Sequence, residues 1–281
     1  MYIYFIPQGG FHDILSNIKR TIDYCNKTNR IMLLDMTNSL YKINFSDYFE
    51  LNDKKHICDI NKIKEIITER KYSVKPKILE NKLLNLLNGE FELKKDLKYV
   101  PKTAGHLAYE DNLLSIEGSE EIIVHSRCGR ADGWKMFQEM KLSNELINYA
   151  KEKYKKMNKP YISIQVRSTD KRCDYKELIK NNNNTIKNAS EIYIATDSKP
   201  VVEYFRRYNA NIKNFTTYSN ENCRSLHSSP LSGDIKMKDL ISDLYIVGKS
   251  EQLITNSEGG YVYLCLMLNR NKNILDKMFN N

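Results

Sequence analysis

The chain alternates short apolar runs with segments in which apolar residues recur every three or four positions. Residues 2–6 form an apolar run, and residues 7–13 are a turn with two glycines. Isoleucines at near-helical spacing then follow up to residue 22, and residues 30–36 are a second apolar run. This order predicts a β-loop-α-β unit at the start of the chain.

The same alternation returns in the second half of the chain. Further strands are predicted at residues 121–125, 161–166, 192–195 and 252–255, with helices at 199–208 and 260–268. Ser143 is expected to cap a helix, and the asparagine run 181–184 to be a surface loop. Residues 37–120 are less regular, with amphipathic helices predicted around Ile63 and Leu83.

Strand-like and helix-like segments in alternation indicate an α/β fold. The charged stretch 151–160 ends in Asn-Lys-Pro, and the pattern sharpens after it. We therefore predict two domains, residues 1–155 and residues 156–281.

Composition fits a folded chain of this size. Of 281 residues, 41% are hydrophobic and 28% are charged, so a sizeable core can form and wholesale disorder is excluded. Lys+Arg 44 against Asp+Glu 35 gives +9, which suits anionic ligands such as nucleotides, nucleic acid or acidic lipid. Because the charge is spread along the chain, a generally basic soluble surface explains it equally well.

The sequence lacks the signals that are typical of several classes of protein. No apolar run reaches the roughly 18 residues of a membrane span, and the first residues are expected to form a strand rather than a signal peptide. The 6 scattered cysteines contain no C-x-x-C pair, which favours a reduced cytoplasmic protein. The 5 isolated histidines lead us to expect no metal site. Neither G-x-G-x-x-G, a P-loop nor G-x-S-x-G occurs.

Polar clusters follow the predicted strands, where open α/β sheets bind ligands. Arg167 comes just after one strand and could fork onto a phosphate, with Asp170 orienting it. A structural Arg–Asp pair is the alternative. Asp197 and Ser198 follow the next strand and could bind a ribose or base, or form an ordinary helix cap.

Two further clusters stand at predicted helix starts. Exposed N–H groups at a helix start attract phosphate, although a plain turn and cap is the alternative. The later cluster comprises Asn256, Ser257, Glu258 and Gly259, and the earlier one Gly10, Phe11, His12 and Asp13.

Taken in order, these clusters resemble the motifs of the GT-B fucosyltransferase-like superfamily, and especially of core α-1,6-fucosyltransferases and nodulation-factor fucosyltransferases. The family's first motif, roughly H-x-R-x-T-D-K, is similar to Gln-Val-Arg-Ser-Thr-Asp-Lys at residues 165–171. Its second resembles Ala-Thr-Asp at 195–197, and its third is an aspartate one helix before a strand and a small polar turn, here Asp243. The resemblance covers most of the chain, thinly between 37 and 120.

The resemblance implies two Rossmann-like domains facing across a cleft, the first on the acceptor side and the second holding a nucleotide sugar. Arg167 would bind the donor diphosphate and stabilise the charge that grows on it, without a metal. The other donor contacts that it implies are Asp170, Lys171, Asp197, Ser198, Asp243, Asn256, Ser257, Glu258, Gly259, Gly10 and Phe11.

The implied reaction is an inverting displacement in which an acceptor hydroxyl attacks GDP-fucose and GDP leaves. His12 or Asp13 would accept the proton, although Asp13 is equally well explained as a helix-start carboxylate. The acceptor would be a glycan or a lipid-linked saccharide. The enzyme would be cytoplasmic, with a peripheral membrane contact allowed, and would need neither cofactor nor nucleic acid.

Three positions depart from the family pattern. Gln165 replaces a histidine, Ser168 a second arginine, and Glu258 a frequent serine. They leave open a non-catalytic GDP-sugar-binding module with a degenerate site, or a transferase that uses another GDP-sugar. A nucleic-acid-binding protein is a third hypothesis, which rests on the positive charge alone.

Overall fold

The protein divides into two compact units, Met1–Lys141 and Leu142–Asn281. A computed structural model describes residues 1–90, 118–129, 132–168, 173–219 and 226–280. Each unit contains a parallel four-stranded sheet with helices, so the predicted α/β class is confirmed.

The first unit is built on the predicted β-loop-α-β start. Its strands are β1 (Tyr2–Pro7), β2 (Ile31–Leu34), β3 (Phe49–Leu51), β4 (Val74–Lys75), β5 (Ile122–Arg127) and β6 (Met140–Leu142). Its helices are α1 (Phe11–Thr28), α2 (Ile60–Glu69) and α3 (Leu83–Leu87), with 3₁₀ turns at Phe45–Asp47, Lys77–Leu79 and Gly133–Gln138. The main sheet has the order β2-β1-β5-β4, and β3 pairs with β6.

Both faces of this sheet are covered, which explains why β1 and β2 carry no charged residue and are buried at nearly every position. Tyr4, Ile6 and Val124 pack with residues of α2 and α3 on one face. The alternate residues Ile3 and Phe5 are also fully buried.

The second unit repeats this plan. Its strands are β7 (Ile162–Val166), β8 (Ile192–Thr196), β9 (Ile212–Lys213) and β10 (Leu253–Ile254), in the parallel order β10-β7-β8-β9. Its helices are α4 (Asn144–Lys155), α5 (Tyr175–Asn181), α6 (Asn183–Asn188), α7 (Lys199–Phe205), α8 (Gly233–Lys249), α9 (Gly260–Arg270) and α10 (Lys272–Phe279), with a 3₁₀ turn at Leu226–Ser228. None of the helices within the described residues has the length and apolar character needed to cross a bilayer.

The asparagine run 181–184 was predicted as a loop, and that prediction is wrong. It spans the end of α5 and the start of α6, two short helices separated by a single residue. Ile179 and Ile186 from these helices are buried against the sheet, while the asparagines lie on exposed or half-buried positions. Burial of the isoleucines therefore outweighs the weak helix propensity of asparagine.

Helix α4 belongs to the second unit, whereas the sequence pattern predicted a first domain that ends at residue 155. The predicted cap is confirmed, because Leu146 N donates to Ser143 Oγ at 3.4 Å. Lys153 Nζ lies 2.7 Å from Asp239 Oδ1 of α8, with both side chains largely buried. The boundary between the units therefore precedes α4.

Candidate functional site

The strand order of the second sheet reverses between β7 and β10. The chain runs from β7 to β8 to β9 in one direction and then returns to place β10 on the other side of β7. Parallel strands end at a common edge, and ligands of open α/β sheets bind where the order reverses. Arg167, directly after β7, and residues 255–259, directly after β10, lie at this point.

Side chains continue the contact between β7 and β10 after the strands end. Thr255 Oγ1 donates to Gln165 Oε1 at 3.1 Å, and Ser257 N donates to Thr255 Oγ1 at 3.1 Å. Arg167 N donates to Ser257 Oγ at 2.9 Å. Gln165 is thus buried with a hydrogen-bond partner and helps to hold the turn after β10.

Asp197, which follows β8, contacts the segment directly after β7. Ser168 N donates to Asp197 Oδ1 at 3.0 Å. Ser198 is the N-cap residue that precedes α7, but its side chain makes no cap hydrogen bond. The structure therefore brings Arg167, Asp197 and Ser257 together, and Arg167 is half-buried rather than in the core.

Asn256 joins two loops with both ends of its side-chain amide. Its Nδ2 donates to Asp174 O at 2.9 Å, and Cys173 Sγ donates to its Oδ1 at 2.6 Å. These contacts fix the start of α5 next to the turn after β10. Cys173 and Asp174 were missed by sequence reasoning, because neither matches a motif.

The rest of the predicted turn is arranged as follows. Glu258 is exposed, and Gly259 precedes α9 with φ +118°, a conformation that favours glycine. Asp170 and Lys171, predicted to orient Arg167 and to contact the donor, lie outside the described residues.

Asp243 lies on α8 and is 6% exposed. Tyr193 OH donates to one carboxylate oxygen, and Thr216 Oγ1 donates to the other at 3.2 Å. Burial raises the pKa of Asp243 to about 7, and the negative charge of Asp239 adds to the rise. Burial raises the pKa of Tyr218, and the nearby negative charges of Asp243 and Asp197 raise it further.

Asp239, one helical turn before Asp243, was not predicted. It is fully buried, and its carboxylate accepts hydrogen bonds from Lys153 Nζ at 2.7 Å and from Thr217 N at 2.6 Å. The signal in the sequence was the spacing of the two aspartates, which stand four residues apart and therefore on one face of the helix.

The first sheet has its own reversal of strand order, between β1 and β5. Gln8 N donates to Arg127 O at 2.9 Å, which prolongs the pairing of these strands. At the start of α1, Gly10 N donates to Asp13 Oδ2 at 3.2 Å, and Cys128 Sγ lies 4.0 Å from the same oxygen. Asp13 thus acts as a helix-start carboxylate.

The other residues of this glycine turn are largely buried. His12 Nε2 accepts from Gly133 N at 3.3 Å, and burial lowers the pKa of His12. Its imidazole is therefore neutral near pH 7, with one nitrogen already used as an acceptor. Phe11 is buried and stacks on Phe49, with ring centroids 5.9 Å apart, which makes it a core residue.

Comparison with protein-family models gives no match, and a search of curated proteins gives none. Solved structures do match. The fucosyltransferase NodZ from Bradyrhizobium has a TM-score of 0.61 at 14% identity, over 94% of this chain and 93% of that one. NodZ alpha-1,6-fucosyltransferase soaked with GDP-fucose has a TM-score of 0.59 at 15% identity, over 94% and 92%. POFUT1 in complex with GDP-fucose has a TM-score of 0.58 at 10% identity, over 96% and 94%.

At these identities the likeness establishes the fold and nothing finer. The chain has the GT-B fucosyltransferase-like fold, as the order of its motifs predicted.

Proposed function

We propose that this protein is a glycosyltransferase that moves fucose from GDP-fucose to a hydroxyl of a glycan or lipid-linked saccharide in the cytoplasm. The observation that carries the proposal is the position of Arg167, half-buried at the point where the second sheet reverses its strand order. The fold supports it, because its structural neighbours are fucosyltransferases studied with GDP-fucose.

In the proposed reaction the acceptor oxygen bonds to the anomeric carbon while the bond from that carbon to the diphosphate breaks. The bonding electrons leave with GDP, so negative charge accumulates on the diphosphate oxygen. The Arg167 guanidinium stabilises this charge through paired N–H donors. The N–H groups at the start of α9 stabilise the same negative charge. The proposed reaction inverts the configuration of the anomeric carbon and requires no metal.

The acceptor hydroxyl must also lose its proton. Asp13 is the better candidate base of the two residues suggested by the sequence. His12 is buried and its single acceptor nitrogen, Nε2, already accepts from Gly133 N. Asp13 is half-buried, and although its Oδ2 accepts from Gly10 N, its carboxylate has further lone pairs. A carboxylate at this position would take the proton as the new glycosidic bond forms.

A GDP-sugar-binding protein without transferase activity is the second candidate. It is favoured by Glu258, an exposed carboxylate in the turn proposed to face the diphosphate, and by Ser168 in place of a second arginine. Another GDP-sugar as the donor would also suit these changes.

Thermal unfolding with GDP, GDP-fucose and GDP-mannose tests the proposal. GDP at about 100 times its Kd should stabilise the protein by about 2.7 kcal/mol, because it binds only the folded state. Arg167→Ala should keep the unliganded Tm, lose most of the GDP effect and abolish fucose transfer. Arg206→Ala is the matched control, since Arg206 is exposed and paired with Glu203 at 2.8 Å.

The outcomes separate the candidates. A wild-type protein whose Tm is the same with and without each of the three nucleotides contradicts the proposal. Stabilisation by GDP without transfer to any offered acceptor favours the binding protein, and transfer only from GDP-mannose identifies a different donor.

A further inference from the structure

We infer that Asp197 and Ser257 are positioning residues that fix the direction of Arg167, rather than ligands of the nucleotide sugar. This inference rests on the proposed function, because it assigns roles within the same site. It departs from the sequence-based expectation that both side chains contact the donor.

The two side chains hold two consecutive peptide N–H groups. Arg167 N donates to Ser257 Oγ at 2.9 Å, and Ser168 N donates to Asp197 Oδ1 at 3.0 Å. Ser257 follows β10 and Asp197 follows β8, the two strands that flank β7. The turn is therefore held from both sides.

The hydroxyl of Ser257 occupies a place set by strand register. Leu253 pairs with Ser163 in the parallel ladder. Two residues further on, Thr255 bonds the side chain of Gln165, and two residues beyond that, Ser257 bonds Arg167. Side chains thus extend the register after the backbone of β10 has turned away towards α9.

These contacts matter for Arg167 because a guanidinium lies at the end of a long and flexible side chain. Its position depends on the direction of the Cα–Cβ bond, which the peptide groups at 167 and 168 determine. An error of about 1 Å in a reacting geometry can cost about 100-fold in rate. Fixing the backbone at residues 167 and 168 therefore fixes the position of the Arg167 guanidinium.

Amide hydrogen exchange tests the contacts without a ligand. Asp197→Ala should accelerate exchange at the Ser168 amide and Ser257→Ala at the Arg167 amide, about tenfold or more. Asp197→Asn should retain protection, because its side chain keeps an acceptor oxygen. Asp59→Ala is the matched control, because Asp59 accepts from Lys62 N at 3.0 Å in the first unit. It should accelerate exchange at the Lys62 amide and leave the amides of Arg167 and Ser168 unchanged. Unchanged exchange in Asp197→Ala overturns the inference.

A double-mutant cycle tests whether Asp197 acts through Arg167. Asp197→Ala should weaken GDP binding about 10- to 100-fold in the wild type and hardly at all in Arg167→Ala. Asp197→Asn should restore most of the affinity. Additive losses would mean that Asp197 contacts the nucleotide itself, and would overturn this inference alone. A wild type that binds no guanosine nucleotide would instead overturn the proposed function, and this inference with it.

Discussion

Gly9 shows how tightly the turn between β1 and α1 is built. Its φ is +91°, a conformation that side chains disfavour. A Cβ at this position would lie 2.3 Å from Cys128 Sγ and 3.0 Å from Asp13 Oδ2. Both backbone strain and a steric clash therefore disfavour other residues here.

Gly9→Ala should destabilise the protein by about 1–3 kcal/mol, measured by urea unfolding. Gly129→Ala is the control for strain alone, because Gly129 has φ +78° but a Cβ there would meet nothing within 4 Å. Gly9→Ala with Cys128→Ala should recover the part caused by the clash. Equal costs for Gly9→Ala and Gly129→Ala would contradict the clash.

Burial brings the pKa of Asp243 close to neutral pH. Its pKa of about 7 lies above the ordinary value of 3.8, because the carboxylate is buried. The folded protein therefore binds a proton that the unfolded chain has already released between pH 4 and 7. Stability contributed by this group is present at low pH and is lost as the pH rises through 7.

Asp243→Asn should remove this loss and flatten the decline of unfolding free energy between pH 4 and 7. The difference from wild type is at most on the order of 4 kcal/mol at pH 8. Urea unfolding at several pH values measures it. Asp59→Asn is the opposite control, since a backbone hydrogen bond from Lys62 lowers the pKa of Asp59. An unchanged pH dependence in Asp243→Asn would refute the assignment.

At the scale of elements, long apolar runs were predicted well and short ones less so. The strands β1, β7 and β8 follow from their apolar runs. By contrast, β10 has only two residues, and a side-chain hydrogen bond continues its contact with β7 beyond them. The pair α5 and α6 was missed, since asparagines hide a helical pattern carried by only a few buried isoleucines.

The candidate site was predictable to a similar degree. Strand ends that carry Arg167, Asp197 and Ser257 meet because parallel strands end at one edge of a sheet. The roles of the individual side chains did not follow from the sequence. Asn256, for example, was expected to face the donor, but its amide bonds Cys173 and Asp174. Such pairings depend on which polar groups the turns leave unpaired.

At the scale of the whole molecule, one plan occurs twice. Each unit has four parallel strands whose order reverses next to the first strand of its sheet, β1 in one and β7 in the other. The polar groups after these strands lie at each reversal. The net charge of +9 suits an anionic donor, but it is spread over the chain and identifies neither unit.

The buried pair of Lys153 and Asp239 decides where the chain can be cut. A fragment of residues 142–281 contains both Lys153 and Asp239. A fragment of residues 156–281 lacks Lys153 and leaves the buried Asp239 carboxylate without its cation. Breaking such a pair costs about 3–5 kcal/mol, a large part of the 5–15 kcal/mol that keeps a domain folded. The longer fragment should melt cooperatively by circular dichroism and the shorter one should not. Asp239→Asn should partly rescue the shorter fragment, and equal melting of the two would show that α4 is dispensable.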